Sequence, residues 1–163
     1  MVQKLNIAVF DGDGIGPEIM APTGDLLMQL SHRAKTYDLR LTTPPAGAAH
    51  YAETGQSLPP ASLQTAREAD AILLSAMGLP DVRYPDGTEI SPQIELRKAL
   101  SLFAGVRPVT VRVGQRTPLK LTEGQEIDFV LIRESTEGLF FSQGCGDVTE
   151  NAARETLQIT RAT

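Results

Sequence analysis

Two arginines occupy positions where a charge is hard to keep. Arg107 shares the parity of Val109, Val111 and Val113, and Arg133 that of Ile127, Phe129 and Leu131, so each points to the apolar face of its own strand. An unpaired cation on such a face is costly, and an anion has to meet it. Two sources of that anion fit: a small anionic ligand, or structural pairing with Glu134 and Glu137, which are close in sequence. Arg107 opens its strand and Arg133 closes the other. If the two strands are adjacent and antiparallel, both cations reach the same end of the sheet. A third arginine, Arg97, follows Leu96 on a helix, about 100° round from it. It borders the apolar stripe Leu96, Ala99, Leu100 and Phe103, with Gln93, Ile94 and Ser101 as neighbours. Taken alone, Arg97 is equally at home as a solvated side chain.

The elements that must position these residues alternate in type. Ser91 and Pro92 are suited to the cap and first position of the helix that carries Arg97. Val106–Val113 and Ile127–Arg133 are the strands. Ahead of them, Leu5–Phe10 predicts a buried strand, and a helix runs from Pro17 to about Arg33 with Ile19, Leu26, Leu27 and Leu30 inward. Tyr37–Thr42 alternates as a second strand, 44–54 is irregular, Pro60–Glu68 is a short helix, and Ala69–Ala76 is a nearly continuous apolar strand of the buried parallel kind. The order β-α-β-α-β predicts an α/β layer structure. Gly12, Gly14 and Gly16 follow the first strand and let the backbone turn tightly. Such a turn either receives a phosphate or cofactor or simply joins strand to helix. It is not the dinucleotide fingerprint, because its third glycine comes one residue early. The loop over 78–89 is longer than a minimal connection requires. Glu134–Gly146 is a polar loop, and Asn151–Thr163 an extended segment.

Composition narrows the partners. The 163 residues suffice for a core, and a net charge of −5 argues against nucleic acid. The single cysteine, Cys145, excludes an intramolecular disulfide and fits a reducing compartment. No apolar run approaches the roughly 20 residues of a membrane span, and Met1–Lys4 leads straight into a strand pattern. A cytoplasmic protein that engages no membrane is expected. His32 and His50 are isolated and make poor ligands.

In order along the chain stand Gly12-Asp13-Gly14-Ile15-Gly16-Pro17-Glu18, Thr54-Gly55 with Leu58-Pro59, Ala69-Asp70-Ala71-Ile72-Leu73-Leu74, Leu96-Arg97-Lys98, Leu102-Phe103-Ala104-Gly105-Val106-Arg107-Pro108 and Arg133-Glu134-Ser135-Thr136-Glu137-Gly138. Together they resemble the amino-terminal half of the isocitrate/isopropylmalate dehydrogenase family, the β-decarboxylating dehydrogenases, and are closest in type to 3-isopropylmalate dehydrogenase. The resemblance implies that family's α/β fold, amino-terminal half only and not a Rossmann dinucleotide fold. It implies a first domain over residues 1–104 and the start of a second, substrate and dimerisation domain over 105–163. Arg97, Arg107 and Arg133 would bind the carboxylates of a malate-type dicarboxylate substrate. Gln93 and Ile94 would face the variable group on the substrate's third carbon, Ile94 tolerating an alkyl group and Gln93 making the pocket less apolar. Ile15, the turn Ser75, Ala76 to Gly78, and Glu89 would lie near NAD or NADP. Mg2+ or Mn2+ is implied as well, with its ligands outside this chain, and so is a homodimer for a full-length protein.

Two departures from the family pattern matter. Phe140 stands where the family has a proton-donating tyrosine, and phenylalanine has no hydroxyl to donate. Family members are also roughly twice this length. The expected chemistry is NAD(P)-dependent oxidation of a 2-hydroxy acid followed by loss of its 3-carboxylate. The substrate is of the isopropylmalate type or, alternatively, tartrate, D-malate or isocitrate. A relative that binds a dicarboxylate without turnover, and a plain anion-binding or assembly module, are the competing expectations.

Overall fold

The computed structural model describes residues 2–142 and 145–160. The chain forms two compact units, Met1–Leu96 and Arg97–Thr163.

The first unit is built on β1 (Gln3–Phe10), whose last three residues, Ala8, Val9 and Phe10, are buried. They can be apolar without alternation because β1 is the central strand of a parallel sheet. It pairs with β2 (Tyr37–Thr42) on one side, Gln3 opposite Tyr37, and with β3 (Ala71–Leu74) on the other, Ile7 opposite Ala71. The strand order is therefore β2-β1-β3. As an edge strand, β3 is only partly buried, despite its apolar sequence. Asn6, the polar residue inside β1, is exposed, and its backbone N–H donates to the Asp70 carboxylate at 2.7 Å.

α1 (Gly16–Ala34) joins β1 to β2. Its buried residues are Gly16, Met20 and Ser31, whereas Ile19, Leu26 and Leu30, expected inward, are exposed. Small residues face β2. Gly24 stands beside Leu41, where an added Cβ would make an ordinary 3.7 Å contact. Ser31 Oγ accepts the Leu39 N–H at 3.1 Å and faces the Tyr37 carbonyl at 3.3 Å, bonding the helix to β2. The stretch expected to be irregular contains α2 (Ala48–Thr54), followed by α3 (Pro60–Glu68). α4 (Pro92–Ala99) buries Pro92 and Leu96. It ends before Leu100 and Phe103, so the expected four-residue stripe is not continuous helix; Ser101, at φ +54°, turns the chain away.

In the second unit β4 (Ala104–Val111) and β5 (Ile127–Glu134) form an antiparallel pair, and β6 (Asp147–Val148) pairs with β7 (Ala153–Arg154). Most of the expected extended segment after residue 150 is irregular, and its last three positions lie outside the described residues. No helix among the described residues is long and apolar enough to cross a membrane.

Candidate functional site

The β4–β5 register decides how Arg107 and Arg133 relate. Arg107 is opposite Leu131, and Gly105 is opposite Arg133. Opposed residues of an antiparallel pair project to one face, so the two arginines share a face as diagonal neighbours about 7–8 Å apart. Gly105 leaves space beside Arg133: a Cβ there would stand 3.1 Å from the Arg133 carbonyl and 3.7 Å from its Cβ. Arg97, half-buried, stands in the last turn of α4, where its carbonyl accepts the Leu102 N–H at 2.9 Å.

The structural counter-charge is not realised, and the burial expected to demand one is absent: Arg107 and Arg133 are exposed, on a face where Phe129 and Leu131 are also about half exposed. No carboxylate of the described residues lies within ion-pair distance of Arg97, Arg107 or Arg133. Glu134 is engaged elsewhere, accepting from Thr136 N–H (2.6 Å), Thr136 Oγ1 (2.6 Å) and Glu137 N–H (2.7 Å). Partial desolvation works against its charge, but the bonds from Thr136 and from the backbone outweigh it and hold the carboxyl below the usual glutamate range. Glu137 accepts from Thr160 N–H (2.7 Å) and Oγ1 (2.6 Å). The Arg133 guanidinium instead lies over the Phe140 ring, 5.5 Å from its centroid.

In the first unit, the residues expected near a cofactor gather where β1 and β3 end. The glycine turn is packed on protein. A Cβ on Gly12 would overlap the Ala76 carbonyl, and one on Gly16 the Asp11 carbonyl. Asp13, buried, is what the turn delivers. Its N–H donates to the Ala76 carbonyl at 2.8 Å. Its carboxylate accepts from Ala48 N–H (2.7 Å), Ala49 N–H (2.9 Å) and Gly78 N–H (2.7 Å). Asp13 thus caps α2 and fixes the turn after β3. The sequence does not single Asp13 out, because it sits inside a glycine run and its partners are remote along the chain. Ile15 is 61% exposed. Ser75 is buried, and its Oγ has no hydrogen-bond partner among the described residues.

Gly78, Arg83, Glu89 and Gln93 line a cleft of about 270 Å³ walled by Met77, Leu79, Pro80 and Ile90. Glu89 is paired with Arg83 at 3.3 Å, an exposed contact of small energetic weight. The Gln93 Oε1 is buried without a partner, whereas Ile94, next along α4, is half-buried and does not line this cleft. The loop is held by a cluster that sequence alone did not reveal. Tyr84 Oη lies 2.8 Å from Ser57 Oγ and 3.2 Å from Glu95 Oε1, and Ser57 Oγ donates to Glu95 at 3.1 Å. Burial, together with the Glu95 charge, raises the Tyr84 pKa above the usual phenol value, against the Ser57 bond. The available signal was Tyr84 itself, the one aromatic residue of the loop over 78–89.

A three-stranded parallel sheet with its connecting helices in the first unit, and an antiparallel strand pair in the second, define an α/β protein, and the comparisons give the family. The isocitrate/isopropylmalate dehydrogenase family model matches residues 6–163, and the chain belongs to that family. It is 39% identical over 140 residues to 3-isopropylmalate dehydrogenase of Staphylococcus haemolyticus, covering 85% of this chain and 40% of that protein. To the Staphylococcus saprophyticus enzyme of the same name it is 36% identical over 157 residues, covering 95% and 45%. Among solved structures it resembles isocitrate dehydrogenase from Methylococcus capsulatus, with a TM-score of 0.73, 26% identity, and coverage of 97% of this chain and 43% of that one. The chain spans less than half the length of these curated relatives. Its fold is the family's α/β fold, with a parallel sheet that is not a Rossmann dinucleotide domain.

Proposed function

We propose that the chain serves NAD(P)-dependent, metal-assisted oxidative decarboxylation of a malate-type 2-hydroxy acid, of the 3-isopropylmalate dehydrogenase kind, with Arg97, Arg107 and Arg133 holding the substrate carboxylates. The observation that carries this is the β4–β5 register, which puts Arg107 and Arg133 on one face with no carboxylate among the described residues to neutralise them. Guanidinium forks bind carboxylates bidentately and stay charged at any working pH, so they fix the orientation of the substrate as well as its charge. Gln93 and Ile94 face the group on the substrate's third carbon. Ile15, Ser75, Ala76, Gly78 and Glu89 contact the nicotinamide cofactor, which when bound accepts the hydride. The cleft beside Gly78 and Glu89 supports this reading, provided Glu89 exchanges its exposed bond to Arg83, whereas the buried Ser75 hydroxyl packs beside Gly16 and does not line that cleft. No group of three or more His, Cys, Asp or Glu among the described residues could hold a metal ion, so they do not by themselves form the Mg2+ or Mn2+ site that the family implies. The unit that begins at Arg97 would be the start of the substrate and dimerisation domain, expected from residue 105, and the full-length protein a homodimer acting in the cytoplasm.

Calorimetry with 3-isopropylmalate, D-malate, tartrate and isocitrate tests the carboxylate site. Arg107→Ala or Arg133→Ala is expected to weaken binding by at least about 10-fold, the scale of a lost charge-assisted bond. Unchanged binding in Arg133→Ala overturns the proposal. Phe140 favours a second reading, a relative that binds without turnover, because general acid catalysis is typically worth about 10²–10⁴ in rate. Turnover assays with NAD, NADP and Mn2+ separate the two.

A further inference from the structure

Phe140 stands where the family resemblance implies a proton-donating tyrosine, yet its side chain is not idle. The turn from Glu134 to Phe140 is tied by the bonds that Glu134 accepts from Thr136 and Glu137, and by the Phe140 N–H donating to the Glu137 carbonyl at 3.2 Å. Gly138, at φ +65°, supplies the left-handed step that brings the chain back. The result is the aromatic ring under Arg133, 5.5 Å from centroid to guanidinium carbon, inside the range of a cation–π contact. The same turn engages Glu134 and Glu137 with N–H and hydroxyl donors. Nearby acids are thus occupied, and a π face is offered instead.

We propose that Phe140 is a positioning residue for Arg133, an aromatic shelf that orients the guanidinium without neutralising it. A carboxylate partner would consume the N–H donors of the fork and cancel its charge. A ring face attracts the cation from one side through its quadrupole and leaves the edge of the fork, where all five N–H groups lie, open to an incoming carboxylate. On this reading the Phe140 side chain presents the cation and donates no proton. This rests on Arg133 binding a substrate carboxylate, as proposed above.

The test uses the 163-residue chain and D-malate and 3-isopropylmalate as probes. Phe140→Leu is expected to weaken binding about 2–5-fold, the scale of an exposed cation–π contact. Phe140→Tyr and Phe140→Trp, which keep a ring, should restore it. Phe140→Glu should weaken binding more than Phe140→Leu, by pairing with Arg133. Equal affinity in wild type and Phe140→Leu overturns the shelf. Absence of binding by wild type itself overturns the carboxylate site instead. A second measurement needs no variant to fold. In arginine-labelled wild-type chain, the Arg133 side-chain protons should be shifted upfield by the ring current relative to those of Arg97 and Arg107. Resonances without that shift remove the proposal whatever the affinities.

Discussion

Asp13 shows how one side chain can organise a fold that its neighbours suggest is a ligand loop. It is 4% exposed, and its carboxylate accepts three backbone N–H groups from two separate segments, at Ala48 and Ala49 and at Gly78. Gly47 is required beside it, since a Cβ there would approach the carboxylate to 2.6 Å. Asp13→Ala leaves those donors buried without an acceptor, at about 1–3 kcal/mol for each that water cannot reach. The expected outcome is a destabilisation of at least about 3 kcal/mol by urea denaturation. Asp13→Asn, which keeps one acceptor oxygen, should lose less. A change under about 0.5 kcal/mol for Asp13→Ala would mean that Asp13 does not hold the segments together. The arginines were more legible than Asp13, because parity on a strand is a local property of sequence. Their shared face followed once the strands were adjacent and antiparallel. Asp13 was opaque because its partners lie 35 and 65 residues away.

The same distinction governs whole elements. Strands β1 and β2 and helix α3 were readable from period and punctuation within two residues of their bounds. Helix α2 was not. Seven residues after Pro44, Pro45 and Gly47 carry no apolar stripe, and the cap that helps seed the helix arrives from Asp13, across the fold. On α1 leucine does not mark the interior: Met20 and Ser31 are buried, and Ser31 bonds the helix to β2. The turn over 134–140 makes a prediction of its own. Its hydrogen bonds hold the Glu134 pKa below the ordinary value of 4.5. A lowered folded pKa stabilises the turn above pH 4.5, and that contribution disappears as pH falls through the lowered value. The amide resonances of Thr136 and Glu137 should therefore titrate below pH 4.5. Thr136→Ala should move their midpoint upward, and Glu134→Gln should abolish the titration. A midpoint unmoved by Thr136→Ala would show that the side-chain bond does not carry the shift.

At the scale of the whole molecule the two units differ in what they bury. Every fully buried apolar side chain among the described residues, from Ala8 to Leu96, belongs to the first unit, whereas the buried side chains of the second are Ser135 and Ser142. In β4 and β5, Val106 and Ile132 face each other 61% and 67% exposed, on the side opposite the arginines. A two-stranded sheet with so little cover is marginal by itself. Local stability should follow this division. By hydrogen exchange the amides of Ile7 to Phe10 should be the slowest in the chain, and those of β4 and β5 should exchange orders of magnitude faster. Because carboxylates held by Arg97, Arg107 and Arg133 would engage α4 and the paired strands but not β1, a dicarboxylate should tighten this sheet selectively. At a concentration of 100 times its Kd, such a ligand stabilises the binding-competent state by about 2.7 kcal/mol, or roughly 100-fold in exchange rate. That gain is expected for Arg107, Val109, Leu131 and Arg133, whose N–H groups point across the strand pair, with β1 unchanged, and it should vanish in Arg133→Ala. Protection appearing in β1 but not in β4 and β5 would move the ligand to the first unit and take the carboxylate site away from the arginines.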